Sequence, residues 1–163
     1  MSEKKINFKD IIRTYILEIG GLLKEEVNEP RFKFGFRFLY PNEKGRIMMI
    51  TQSKKKNFIE ISTGTPLSPE HRQAFTFLQE RDRITFLKNL QQILFRSEVE
   101  YSYNFTTHYT IVLIDKIFIE HDAISINQLF QSIRRVYSCT MNVIFFIQDY
   151  FSEEFDPASF VLK

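Results

Sequence analysis

The stretch RFKFGFRF, residues 31–38, decides the fold that the sequence predicts. Phenylalanine occupies every even position, and the odd positions are Arg31, Lys33, Gly35 and Arg37. Successive side chains of a β-strand point to opposite faces of its sheet, so this alternation is typical of a strand with one buried face. The stretch therefore predicts a strand whose phenylalanines lie in the core and whose basic residues face solvent or a partner.

The same stretch superficially resembles the aromatic–glycine–aromatic motif with which RNA-recognition domains stack bases. The position after the second aromatic residue faces the core in that motif, and here it is Arg37. The order of elements predicted for this chain also differs from the β-α-β-β-α-β order of that fold. We therefore favour a core strand over a base-stacking platform.

The composition indicates one globular domain and excludes several classes of protein. The chain has 163 residues, enough for a real hydrophobic core, and its net charge of +2 is too small to indicate a nucleic-acid binder by bulk charge. The single cysteine, Cys139, excludes an intramolecular disulfide framework and fits a reducing compartment. The N-terminal residues lack the apolar region of a signal peptide, and no apolar run approaches the roughly 20 residues that span a bilayer. We expect a cytoplasmic protein that does not insert into membranes.

Hydrophobic periodicity and capping signals predict three helices and five strands. In chain order these are a helix at 7–27, strands at 31–40, 46–52 and 58–62, a long helix at 68–95, strands at 99–105 and 109–119, and a helix at 125–150. Short connections favour antiparallel pairing. We therefore predict an α+β fold, a single antiparallel five-stranded sheet with packed helices in the order α-β-β-β-α-β-β-α. It forms one domain over residues 1–150, followed by a C-terminal tail, 151–163, that is either docked or disordered.

No pattern in the sequence indicates catalysis. His71, His108 and His121 are far apart, and none has the spacing to a cysteine or another histidine that a metal site requires. The five glycines form no phosphate-binding loop, and no pair of carboxylates has a spacing that singles it out for acid–base chemistry. We therefore expect no enzymatic activity, no cofactor and no metal. An active site assembled only by the fold would leave no such pattern.

The last helix carries the strongest signal for a partner. Its apolar residues extend well past one stripe, and a helix that is apolar on more than one face is buried on more than one side. Either the tail and loops cover this excess or another chain does. We predict partner contacts at Val143, Phe145 and Phe146. Second choices on the long helix, where charged residues interrupt the apolar stripe, are Phe77, Arg81 and Arg83.

The alternative function is a nucleic-acid or phosphate-binding module. It would use the basic positions of the first predicted strand and the lysines at the tip of the following hairpin. These residues are Arg31, Lys33, Arg37, Lys54, Lys55 and Lys56. Such binding would depend steeply on salt, because each neutralised phosphate releases counterions.

The predicted order of elements over residues 7–150 resembles the type III secretion chaperone-like fold, which bacterial secretion chaperones share with uncharacterised domain families of archaea and bacteria. The segment STGTPLSPEH, which leads into RITFLKNLQQIL, is similar to the strand–loop–helix joint of those uncharacterised families. The resemblance implies a small homodimer without enzymatic activity, which binds an extended segment of a client protein at apolar grooves and strand edges. Classical secretion chaperones are acidic and this chain is slightly basic, which argues against a secretion client.

Overall fold

The structure is a computed structural model that describes residues 7–121 and 123–154. These residues form four helices and one six-stranded antiparallel sheet, so the predicted α+β class and single antiparallel sheet are confirmed. The elements are α1 (Phe8–Glu18), β1 (Leu22–Glu26), β2 (Phe32–Tyr40), β3 (Arg46–Ser53), β4 (Phe58–Pro66), α2 (Pro69–Phe77), α3 (Glu80–Phe95), β5 (Glu100–Asn104), β6 (Thr110–Phe118) and α4 (Ile126–Glu154). The predicted number of five strands and the predicted order of helices are wrong.

The strands lie side by side in the order β1-β2-β3-β4-β6-β5, and every neighbouring pair is antiparallel. β2, β3 and β4 form the meander that the short connections predict. β6 lies inside the sheet between β4 and β5. Its backbone is therefore paired along both edges.

The sixth strand, β1, occupies residues that the sequence assigns to the first helix. That helix ends at Glu18 because Gly20 adopts a left-handed conformation with a φ of 85°. The Gly20 N–H donates to the carbonyl of Leu17 at 3.1 Å, and the Gly21 N–H donates to the carbonyl of Ile16 at 2.9 Å. This pair of bonds is the Schellman motif that ends helices. The chain then extends along β2 as an edge strand.

The long helix predicted at 68–95 is in fact two helices. Leu78 and Gln79 have extended ψ angles of 139° and 158°, which end α2 and begin α3. The Arg83 guanidinium returns to α2, where it donates to the carbonyl of Thr76. The charged residues that interrupt the apolar stripe therefore lie at the start of a new helix.

The RFKFGFRF stretch lies in and next to β2, and three of its four phenylalanines enter the core as predicted, whereas Phe32 is half-buried. Phe36 and Phe38 are fully buried, and α1 covers Phe34 with the ring of Phe8 at a centroid distance of 6.0 Å. The glycine has a packing reason: a Cβ at Gly35 would lie 2.9 Å from the Cβ of Val27. β2 is therefore a core strand in which glycine makes room for a neighbouring side chain.

The last helix begins with the capping box that the sequence predicts. The Ser125 N–H donates to Gln128 Oε1 at 2.8 Å, and the Gln128 N–H donates to Ser125 Oγ at 3.1 Å. The helix continues through Glu154, so the predicted domain boundary at residue 150 falls inside it. Phe151 is buried, with its ring 5.4 Å from that of Phe86. The rest of the predicted tail, 155–163, lies outside the described residues.

Candidate interaction surface

The two faces of the sheet have different surroundings. α1, α3 and α4 contact the same face through the pairs Phe8–Phe34, Gln91–Tyr103 and Tyr137–Tyr40, and α2 packs on α4. We call this side the helix face. None of the four helices formed by the described residues packs on the other side, which we call the open face.

Directly paired residues of neighbouring strands share a face, so the register of the sheet assigns the side chains of the open face. Met49 of β3 pairs with Ser62 of β4, which pairs with Ile114 of β6. Gly64 of β4 pairs with Val112 of β6. The small residues of β4 thus lie between large apolar residues on both neighbouring strands. We call this arrangement the apolar trough, with floor residues Ser62 and Gly64 and wall residues Ile47, Met49, Val112 and Ile114.

The apolar side chains of the open face remain in contact with solvent. Ile47 is 61% exposed, and the other three walls of the trough are half-buried. At the β1 edge, Leu22 is 42% exposed and pairs with Leu39, which pairs with Ile47 and is itself buried. Phe118 on the same face is 68% exposed. Exposed apolar residues gathered on one face mark an interaction site more often than scattered ones do.

The glycine in the floor of the trough has no explanation within the described chain. A Cβ at Gly64 would meet only Thr110 Cγ2, at the ordinary contact distance of 3.8 Å. The pairing of β4 with β6 runs through Gly64 without a bulge. Glycine inside a strand costs about 0.5–1 kcal/mol relative to alanine, and it often marks close approach by a ligand or another backbone. The trough therefore has room for a partner immediately above β4.

The charges around the trough are largely neutralised within the chain. Arg37 pairs with Glu25 at 2.6 Å, and Lys116 pairs with Glu100. Beside β2, Arg31 pairs with Glu29 at 2.6 Å. Among the predicted nucleic-acid contacts, two of the three basic residues in the RFKFGFRF stretch are therefore already bound to carboxylates.

The remaining predicted nucleic-acid contacts carry free charges. Lys33 and the three lysines of the β3–β4 hairpin form no ion pair within the described part of the chain. Lys56 lies over the ring of Phe58, with Nζ 5.2 Å from the centroid. These cations lie on a strand end and a hairpin tip, away from the centre of the open face.

The three partner contacts predicted on the last helix differ in how deeply they are buried. Val143 is 0% exposed and belongs to the core, so its assignment to an exposed partner surface is corrected. Phe146 is half-buried and packs on Phe86 of α3 at 5.3 Å. Phe145 is 53% exposed and is the one residue of the three that faces solvent. The excess apolar surface of α4 is thus covered mainly by α3 and the sheet.

The second-choice contacts lie where α2 meets α3. Phe77 ends α2 and is 53% exposed, and Arg81 is also exposed. Arg83 is half-buried, since its guanidinium lies 5.8 Å from the ring centroid of Phe75 and donates to the carbonyl of Thr76. Arg83 therefore stabilises the junction of the two helices.

Cys139 is buried, and burial raises the pKa of its thiol, so it is a poor nucleophile. In residues 7–121 and 123–154, no group of three or more His, Cys, Asp or Glu side chains is arranged to hold a metal ion. Over the same residues, no helix is long and apolar enough to cross a membrane.

Comparison with known proteins identifies the family. The model of the DUF2299 family, described as uncharacterized conserved proteins, matches residues 8–147. The chain belongs to the DUF2299 family. The predicted membership among uncharacterised domain families is thereby confirmed, and the secretion-chaperone part of the resemblance stays a prediction. No curated protein matches the DUF2299 chain.

Two solved structures share the fold of this DUF2299 protein. An uncharacterized protein from Methanothermobacter thermautotrophicus has a TM-score of 0.79 and 26% identity, over 89% of this chain and 99% of the other. YbjN from E. coli, for which a role in transcription regulation has been suggested, has a TM-score of 0.51 and 13% identity, over 90% of this chain and 93% of the other. At 13% identity, the second likeness concerns the fold alone.

Proposed function

We propose that this DUF2299 protein is a non-catalytic protein–protein interaction module that forms a homodimer through the open face of its sheet. The observation that carries the proposal is the apolar trough with Gly64 in its floor. Ile47 in the wall is 61% exposed, the other wall residues are half-buried, and the glycine leaves open space in the middle of a central strand. Both features lower the stability of an isolated monomer and both are useful at an interface.

The partner that we propose for this surface is a second copy of the chain. A two-fold axis brings the same patch of both copies together, so the patch must be complementary to itself. Ion pairs such as Arg37–Glu25 neutralise charges on this face, which reduces like-charge repulsion between two copies. Sheets pack face to face about 10 Å apart, so a wall such as Ile47 of one copy can lie over the floor of the other.

We further propose that the protein acts as a chaperone or adaptor, which binds an extended segment of a client protein. A client segment would add as a strand at an edge of the sheet, where backbone groups are unpaired. β1 is a poor template because three of its five residues are charged and its pairing contains an irregularity between Leu23 and Glu25. β5 is the better edge, since its pairing with β6 is regular.

The nucleic-acid alternative has weaker support. Phosphate binding gains its affinity from free cations, and Arg31 and Arg37 are paired with carboxylates. The exposed lysines of the hairpin tip are typical of a solvated turn.

Sedimentation equilibrium of three chains tests the proposal. We expect the wild-type chain to have the mass of two copies. Ile47→Asp places an unpaired charge in a wall of the trough, and we expect it to raise the dissociation constant roughly 30-fold or more. The matched control is Phe145→Asp, which places the same charge at a similarly exposed apolar position on α4.

The control variant should remain dimeric. A monomeric wild-type chain, or an Ile47→Asp variant that dimerises as tightly as wild type, would contradict the proposal. Dimer loss in Phe145→Asp alone would move the interface back to the last helix.

A further inference from the structure

A cavity on the helix side of the sheet has the features of a small-molecule site, independently of the proposed dimer. It lies where β3 begins, β4 ends, α2 begins and α4 passes over the sheet, and its volume is about 170 Å³. Its lining combines several polar groups with an apolar wall. The lining residues are Arg46, Thr65, Pro66, Leu67, Ser68, His71, Ile144, Ile147 and Gln148.

The hydroxyl of Thr65 is buried in this lining without a partner. Thr65 is 4% exposed, and its Oγ1 has no hydrogen bond. The preceding threonine on the same face of β4, Thr63, donates to the carbonyl of Ile47 at 2.9 Å. A buried hydroxyl without a partner is costly, so an unsatisfied one beside a cavity points to a ligand that supplies the missing bond.

Arg46 supplies a positive charge at the same cavity. It forms no ion pair or side-chain hydrogen bond within the described residues, and no acidic residue lines the cavity. Glu70, at the start of α2, lines the adjacent cavity. Its own backbone N–H and the Ser68 hydroxyl donate to it and lower the pKa of its carboxyl. The N-terminus of α2 is therefore occupied by its own carboxylate, and Arg46 remains the free cation.

The rest of the lining sets the size and polarity of a ligand. Ile144 and Ile147 of α4 form an apolar wall opposite the polar groups. A cavity of about 150 Å³ accommodates a molecule as large as benzene, so this one holds about six non-hydrogen atoms. A second cavity of about 390 Å³ shares His71 and Gln148 and adds the apolar side chains of Ala74 and Phe151. A ligand with a longer apolar chain could extend into it.

We propose that this cavity binds a short-chain carboxylate. The carboxylate accepts hydrogen bonds from the Arg46 guanidinium and from Thr65 Oγ1, and the alkyl chain lies against Ile144 and Ile147. Guanidinium–carboxylate bonds are charge-assisted and therefore strong, and the apolar wall selects an organic anion over an inorganic one.

Titration of the full-length chain with butyrate, followed by NMR chemical shifts, tests this site. We expect saturable binding with shifts centred on the residues of the cavity. n-Butanol, which lacks the charge, and inorganic phosphate, which lacks the alkyl chain, should each bind at least about tenfold more weakly.

Two variants test the assigned groups. Thr65→Val replaces the unpaired hydroxyl with a methyl group of similar shape, so the fold should be retained, and butyrate binding should weaken at least about tenfold. Arg46→Gln should weaken it by as much or more. Absence of saturable butyrate binding, or equal affinity in wild type and both variants, would overturn the proposal. So would tighter binding of phosphate or butanol than of butyrate.

Discussion

The two faces of the sheet are built by alternate residues of the same strands, yet they differ in how far their apolar side chains are buried. On the helix face of β3, Met48 and Ile50 are almost fully buried. On the open face of the same strand, Ile47 is largely exposed and Met49 is half-buried. Apolar residues on the helix face are explained by folding, since burial of each such side chain stabilises the native state by roughly 1.5–3 kcal/mol.

The open face needs a different explanation. Ile47 and Phe118 are largely exposed there, and its central strand carries a glycine that a larger residue could replace without a clash. The comparison shows that the sequence places apolar residues on both faces of β3 and β6, whereas the helices of residues 7–121 and 123–154 cover one face. We therefore place the proposed interface on the open face.

The largest expected effect comes from matched substitutions on the two faces of β3. Ile50→Ala should lower the free energy of unfolding by about 2–5 kcal/mol, because it leaves a cavity in the core. Ile47→Ala, the same change three residues away, should lower it by less than about 0.5 kcal/mol. Urea denaturation at a protein concentration low enough to keep the chain monomeric measures both. Equal losses in the two variants would show that the open face is covered within the monomer.

A smaller effect is expected at the polar contact that fixes α4 on the helix face. Asp115 Oδ2 accepts a hydrogen bond from the buried Ser132 Oγ at 2.6 Å and lies 3.4 Å from Arg135 Nη1. Asp115→Ala removes the acceptor and leaves the Ser132 hydroxyl buried without a partner, so we expect a loss of about 1–3 kcal/mol in the free energy of unfolding.

Asp115→Asn is the control for that change, because its side-chain oxygen can still accept from Ser132. Thermal or urea unfolding should show a clearly smaller loss for Asn than for Ala. If the two variants unfold alike, the hydrogen bond to Ser132 contributes nothing and α4 is held by apolar packing alone.

Much of the sheet could be predicted from the sequence. The alternation around β2 identified a core strand, and the capping box at Ser125 located the start of α4. β1 was missed because Leu22, Leu23 and Val27 continue the helical spacing of α1. The signal that could have found it is the glycine pair after Glu18, since glycine in the left-handed conformation ends helices.

The break between α2 and α3 has a weaker signal in the sequence than the end of α1 has. Neither glycine nor proline lies at Leu78 or Gln79, and Gln79 provides no side-chain cap. Tertiary contacts stabilise two separate helices over one continuous helix. One of these contacts is the hydrogen bond from Arg83 to the carbonyl of Thr76.

The open face could not be found from the sequence because it depends on register. On β2 the outward positions are mostly basic, which suggested a solvated face. Only the pairing of β3, β4 and β6 shows that Met49, Ser62 and Ile114 share that side. The burial of two of the three residues predicted on α4, Val143 and Phe146, was missed for a related reason. The apolar width of a helix does not reveal which neighbours cover it, and α3 covers Phe146.

The most direct test of the proposed interface is the oligomeric state and stability of Gly64→Val. Valine suits a strand better than glycine, and open space lies above this position, so the isolated monomer should unfold at the same or a slightly higher urea concentration. In sedimentation equilibrium, wild type should have the mass of two chains, Gly64→Ala should dimerise more weakly, and Gly64→Val should have the mass of one. A Gly64→Val variant that folds and dimerises like wild type would contradict the assignment of the open face as the interface.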